Sequence, residues 1–220
     1  MVDELRAAGH GVDAPDLPGH GADETPPEAI DLQTYTDFVC DRIDSQPEDV
    51  VLVGHSLGGL TITQVGELRP DRLRCLVYLA AFIPLPGATF EEDPAIVTEA
   101  CSAAVQPSEG APTLTFDPAA ARDVFYADCS DEDLAFARAR LCPEPANPAL
   151  SPVEISDDGW GRVPRDYIVC SQDRALRPAA QRVLAEQRGC RRVHHLDASH
   201  SPFFSMPVAL AKLLGQIADS

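Results

Sequence analysis

Val50-Val51-Leu52-Val53 runs without interruption into Gly54-His55-Ser56-Leu57-Gly58-Gly59. A continuous apolar run of this kind is what a strand buried on both faces of a parallel sheet requires. The glycines then allow a sharp turn, and Leu57 to Leu68 carries a helical pattern stopped by Pro70. Strand, tight turn and helix in direct succession constrain the chain to βα units. The same alternation continues downstream. Leu73 to Phe82 reads as a second strand, with Cys75, Leu76, Val77, Tyr78 and Leu79 at its centre. Asp166–Cys170 and Arg192–Leu196 read as two more, separated by a helix from near Pro178 to Gly189. An amphipathic helix from Pro207 to Ile217 closes the chain. Strands alternating with helices specify an α/β fold with a mostly parallel sheet.

Upstream, Val2 to Ala8 reads as the tail of a helix ended by Gly9, and Gly11–Ala14 as a short strand. A polar loop rich in Pro and Gly follows, and then Leu32, Tyr35, Phe38, Val39 and Ile43 recur at helical spacing. Composition divides the chain into a core of residues 1–83 and 164–220 and an insert of residues 84–163. The insert is rich in Pro, Ala and acid and poor in strand signals. The capping box Ser130-x-x-Asp133 opens a helix there, so a helical lid set into the core is expected. Its aromatics, Phe116, Phe125, Tyr126, Phe136 and Trp160, read mainly as the lid's own core.

The chain has 220 residues, enough for one domain with a sizeable core. Its 35 acidic against 17 basic residues give a net charge of −18, which argues against nucleic acid or an anionic membrane surface as partner. No stretch is apolar for long enough to span a bilayer and no leader opens the chain, so a cytoplasmic location is expected. The seven cysteines are scattered and form no C-x-x-C pair, which predicts free, mostly buried thiols.

Gly54-His55-Ser56-Leu57-Gly58 matches G-x-S-x-G, a weak pattern alone but a specific one between a strand and a helix. There it lifts a serine hydroxyl above the sheet and offers the Leu57 N–H to a developing oxyanion. A serine needs a base, and the base an orienting acid. Of six histidines, only His200 lies in the loop just past a strand's C-terminal end, where sites of open parallel sheets lie. The acid expected after the preceding strand is Asp173, with Asp197 as the fallback. Ser56, Asp173 and His200 are thus the candidate nucleophile, orienting acid and general base. No metal cluster, P-loop or dinucleotide motif is present, and no cofactor is expected.

Val51 to Gly59 resembles the nucleophile elbow of α/β-hydrolases. Three stretches narrow the resemblance to the methylesterase and hydroxynitrile lyase branch: Phe125-Tyr126-Ala127-Asp128-Cys129-Ser130-Asp131-Glu132-Asp133-Leu134-Ala135, Tyr167 to Asp173, and Leu196-Asp197-Ala198-Ser199-His200-Ser201. The resemblance implies the same three catalytic residues and hydrolysis of a small to medium carboxylic ester through an acyl-enzyme. The partner implied is a small-molecule ester, with a homodimer left open. Lyases of this branch carry a lysine directly after the catalytic histidine, where this chain has Ser201, which favours hydrolysis. Thioester or lactone cleavage and a catalytically weak binding role remain as alternatives. Such chains also open with a strand and a His-Gly loop that supplies the second oxyanion donor. Here a helix stands at Met1, so an N-terminally truncated version of the fold, with impaired turnover, is expected.

Overall fold

The computed structural model describes residues 1–92 and 96–220. Helices α1 (Val2–Ala7) and α2 (Leu32–Asp44) precede strand β1 (Val50–His55), and α3 (Gly58–Leu68) leads to β2 (Leu73–Leu79). The insert holds α4 (Glu99–Ala104), β3 (Val105–Pro107), β4 (Thr113–Phe116), α5 (Ala121–Phe125), α6 (Asp131–Arg138), β5 (Glu144–Pro145) and α7 (Asn147–Leu150). The chain returns through β6 (Arg165–Cys170), α8 (Pro178–Gln187), β7 (Arg192–Leu196), α9 (Pro202–Ser205) and α10 (Pro207–Ala218).

Strands β1, β2, β6 and β7 pair in that spatial order, all parallel. Side chains alternate across a strand with period two, and the two faces of β2 and β6 enter different cores. Leu76, Tyr78, Tyr167 and Val169 pack with Leu32 and Ile43 of α2, Leu60 and Val65 of α3, and Leu184 of α8. Cys75, Val77, Leu79, Ile168 and Cys170 pack on the opposite face with Leu5 of α1 and Leu210, Leu214 and Ile217 of α10. The result is the α/β/α layering expected of strands alternating with helices, and it aligns the C-terminal ends of all four strands. Helix α1 ends as Gly9 predicts. Gly9 takes φ +93°, its N–H bonds the Arg6 carbonyl, and the His10 N–H bonds the Leu5 carbonyl.

Two expectations fail where they depend on neighbours rather than on local pattern. Strand β1 has β2 on one side and no strand on the other among the described residues. Its apolar run is therefore only partly covered, and Val53 is 37% exposed, whereas Val77 in β2 is wholly buried. Gly11–Ala14 does not form a strand, because no ladder receives it; Val12 packs against the second core instead. No helix among the described residues is long and apolar enough to cross a membrane.

The insert contains the expected helix, with Ser130 Oγ accepting the Asp133 N–H at 3.1 Å to cap α6. It also contains a three-stranded antiparallel sheet, in the order β3-β4-β5. Strands of two to four residues are too short to leave a period in the sequence. Phe116, Phe125 and Tyr126 pack together in the insert with Phe204 of α9. Two other aromatics of this segment are not buried in that cluster. Phe136 is exposed beneath the Arg140 guanidinium, and Trp160 joins the main core, its indole N–H donating to the Tyr78 hydroxyl at 2.9 Å. All seven cysteines are free; Cys142 is exposed, Cys190 partly so, and the others are buried.

Candidate active site

Ser56 sits between β1 and α3 with φ +52°, in the left-handed region that a side chain other than glycine seldom adopts. Such strain persists only where the surroundings impose it. Here the Ser56 N–H donates to the Leu79 carbonyl, and the Ser56 carbonyl accepts both the Gly59 and Phe82 N–H groups at 3.1 Å. The serine is thereby tied to the end of β2 as well as to its own helix. A Cβ at Gly54 would stand 2.8 Å from the Gly58 carbonyl oxygen, and one at Gly59 only 2.0 Å from that of Phe82. Gly58 has open space around it. The tight approach that the turn was expected to impose thus falls on Gly54 and Gly59 and not on Gly58. Leu57 caps α3, and its N–H donates to no backbone carbonyl among the described residues.

The acid–base half of the site lies in the loops after β6 and β7. His200 Nδ1 is 2.9 Å from Asp173 Oδ2, and both side chains are almost completely buried. The Asp173 carboxylate accepts three further hydrogen bonds. Its Oδ1 takes the Ala175 and Leu176 N–H groups at 2.8 and 2.9 Å, and its Oδ2 takes Gln181 Nε2–H at 2.8 Å. Gln181 is itself buried and accepts the Cys170 N–H at 3.2 Å, so the acid is locked to the end of β6. Because an ionised carboxylate only accepts, the ring nitrogen facing Asp173 carries its proton, which leaves Nε2 of neutral His200 as the free base. Asp197, the fallback acid, points elsewhere and accepts from Ser171 Oγ and Gln172 Nε2. His194 pairs with Asp166 at the opposite end of the sheet.

The main chain around His200 is held from two sides. From the elbow, His55 Nε2 lies 2.8 Å from the His200 carbonyl oxygen, and the two imidazoles sit 4.5 Å apart. Burial, followed by the neighbouring His200, pushes the His55 pKa down to about 3. The ring is therefore neutral near pH 7 and donates its Nε2–H to the carbonyl. From the segment between β2 and β6, the Asp128 carboxylate accepts both the N–H of Ser199, at 2.9 Å, and its hydroxyl. The Phe125 ring lies 5.7 Å from that of His200. Among the described residues no hydrogen bond joins Ser56 Oγ to the His200 ring. Bonds of this kind are commonly long in free enzymes and tighten around a substrate.

Ser56 and Leu57 open onto a cavity of about 330 Å³, whose walls include Leu17, Leu32, Leu60 and Pro148. That is within the size range of small-molecule sites. One carboxyl side chain, that of Glu144 on strand β5, stands in this largely apolar lining. Its two oxygens accept the Tyr35 hydroxyl at 3.2 Å and meet His20 Nε2 at 2.9 Å. The hydrogen bond to Glu144 raises the His20 pKa. The places of His55, Asp128, Glu144 and His20 around the candidate site are not legible in the sequence. Each acts through a partner far along the chain, and no local spacing marks it.

Comparison with known proteins places the chain in context. Residues 2–213 match the family model described as the alpha/beta hydrolase family. A pyrethroid hydrolase of Sphingobium wenxiniae is 31% identical over 230 residues, covering 100% of this chain and 82% of the relative. Methylesterase 7 of Arabidopsis thaliana is 30% identical over 232 residues, covering 98% and 88%. The crystal structure of a pyrethroid hydrolase from Sphingobium faniae superimposes with a TM-score of 0.89 at 30% identity, covering 100% of this chain and 90% of that one.

Proposed function

The chain belongs to the alpha/beta hydrolase family, in its methylesterase-like branch, and on that premise we propose that it is a serine esterase. It cleaves a small to medium carboxylic ester through an acyl-enzyme. The observation that carries this reading is the buried 2.9 Å bond between Asp173 and His200, set beside an elbow serine that opens onto a cavity. The names of the relatives, methylesterase and pyrethroid hydrolase, support esters as the substrate class.

Ser56 Oγ attacks the ester carbonyl while His200 Nε2 takes its proton. Asp173 holds the Nδ1–H and stabilises the imidazolium that results. The Leu57 N–H, at the positive end of α3, faces the charge that develops on the carbonyl oxygen. Collapse of the tetrahedral intermediate expels the alcohol, protonated by His200. Water, activated by the same imidazole, then hydrolyses the acyl-enzyme, and the carboxylate leaves with Ser56 restored. Ser201 follows His200 in the chain, so no ammonium stands there to support a leaving cyanide, and hydrolysis is favoured over cyanohydrin cleavage.

Two measurements test the proposal. A fluorophosphonate probe should label the native chain at Ser56, and Ser56→Ala should abolish both the label and the hydrolysis of methyl and aryl esters. Labelling at another residue, or turnover that survives Ser56→Ala, would overturn it.

A further inference from the structure

The cavity that Ser56 opens onto carries a polar feature the ester chemistry does not use. Glu144 reaches it from β5 and Tyr35 from α2, while His20, in the loop before α2, bonds Glu144 without itself lining the cavity. The contacts bring together parts of the chain 124 and 109 residues apart. An ionised carboxylate has about four acceptor positions on its two oxygens. Tyr35 and His20 occupy one position on each oxygen, so each retains another. In a largely apolar pocket, the few polar groups are those that fix a ligand's orientation.

We infer that Glu144 is a specificity-determining residue, selecting esters that carry a hydrogen-bond donor, ammonium or hydroxyl, and disfavouring esters that carry a carboxylate. Tyr35 and His20 hold the carboxylate in place, so a donor meets an acceptor that is already oriented. A ligand carboxylate meets like charge and cannot share the oxygens without a proton between them. The inference rests on the esterase reading for its choice of substrates. The selection itself is a matter of binding and can be read without turnover.

The test uses methyl esters of arylacetic acids that differ only at the para position: aminomethyl, hydroxymethyl, methyl and carboxyl. A hydrogen bond to a charged group contributes about 1.5–3 kcal/mol, which is roughly ten- to hundredfold in kcat/KM. In the native chain the aminomethyl ester should exceed the carboxyl ester by at least about tenfold, with the methyl ester between them. Glu144→Gln, which preserves the shape of the side chain, should collapse that ratio to within about threefold, the ordinary scatter of such effects. A uniform loss across the series would leave the ratio intact and overturn the inference, since it would indicate a purely structural role. The same four esters titrated calorimetrically against Ser56→Ala separate the two readings. Hydrolysis by the native chain with no charge order in binding overturns the role of Glu144 alone. Charge-ordered binding without native hydrolysis overturns the esterase reading alone.

Discussion

The two halves of the candidate site are built on unlike ground. Asp173 and His200 hang from β6 and β7, and the acid's lone pairs are engaged by Ala175, Leu176, Gln181 and the imidazole. Ser56 hangs from β1, an edge strand among the described residues, whose Val53 is 37% exposed. The first half is fixed by the number of its buried hydrogen bonds. The second is fixed by backbone strain, through three bonds that tie Ser56 to Leu79, Phe82 and Gly59. His55 links the halves, since it belongs to β1 and bonds the carbonyl of His200. Although β7, like β1, is an end strand of the sheet, Asp173 and His200 are held by buried hydrogen bonds, while Ser56 opens onto the cavity.

The largest expected effect comes from breaking the buried half. Asp173→Asn should leave the fold intact and lower kcat by about 10³–10⁴, because the amide no longer holds the imidazole in the tautomer that frees Nε2. Asp197→Asn, at an exposed carboxylate bonded to Ser171 and Gln172, should change kcat by less than about threefold, a shift of under 1 kcal/mol. Steady-state kinetics on one neutral ester compares the two, and a reversal of their order would move the acid to Asp197.

The link between the halves sets the next effect, and it is a matter of pH. His55 titrates near the ordinary 6.5 when unfolded and at about 3 when folded. Between those values the unfolded chain binds the extra proton, so stability falls as pH drops. The slope approaches about 1.4 kcal/mol per pH unit once pH is well below 6.5. His20, raised by Glu144, works in the opposite direction, with its stabilisation lost as pH rises through its folded value. His55→Gln can still donate to the His200 carbonyl but cannot titrate. Urea unfolding of both proteins from pH 7 to 4.5 should therefore give a shallower acid slope for the variant, and parallel profiles would refute the assignment.

The same contrast separates what the sequence reveals from what it conceals. Strands β2 and β6 are legible because their apolar runs are covered on both faces, as such runs imply, whereas β7, with only Leu196 buried, is legible from its place in the alternation of strands and helices. The pairing of Asp173 with His200 and the place of Ser56 at the turn after β1 are legible too, because chain order along an α/β sheet already places loops at one end. Nothing local tells an edge strand from a central one, so the apolar run of β1 read as buried. Gly11–Ala14 read as a strand although no neighbour pairs with it. The short strands β3, β4 and β5 leave no period. Asp128 meets Ser199 across 71 residues, and His20 meets Glu144 across 124, so those contacts become visible only once the fold exists.

The smallest effect sharpens the comparison at its margin. Val53→Thr and Val77→Thr make the same chemical change, a methyl exchanged for a hydroxyl, on adjacent strands paired with each other. At Val77, wholly buried against α10, the new hydroxyl loses water and finds a core of Leu, Ile and Cys side chains. That should cost about 1–3 kcal/mol. At Val53 the hydroxyl keeps contact with solvent, and threonine suits a strand as well as valine does, so the change should stay within about 0.5 kcal/mol. Urea midpoints read at unchanged m-values measure the difference. Equal losses at the two sites would mean that Val53 is covered in solution, and that the unpaired side of β1 is occupied by something outside the described residues.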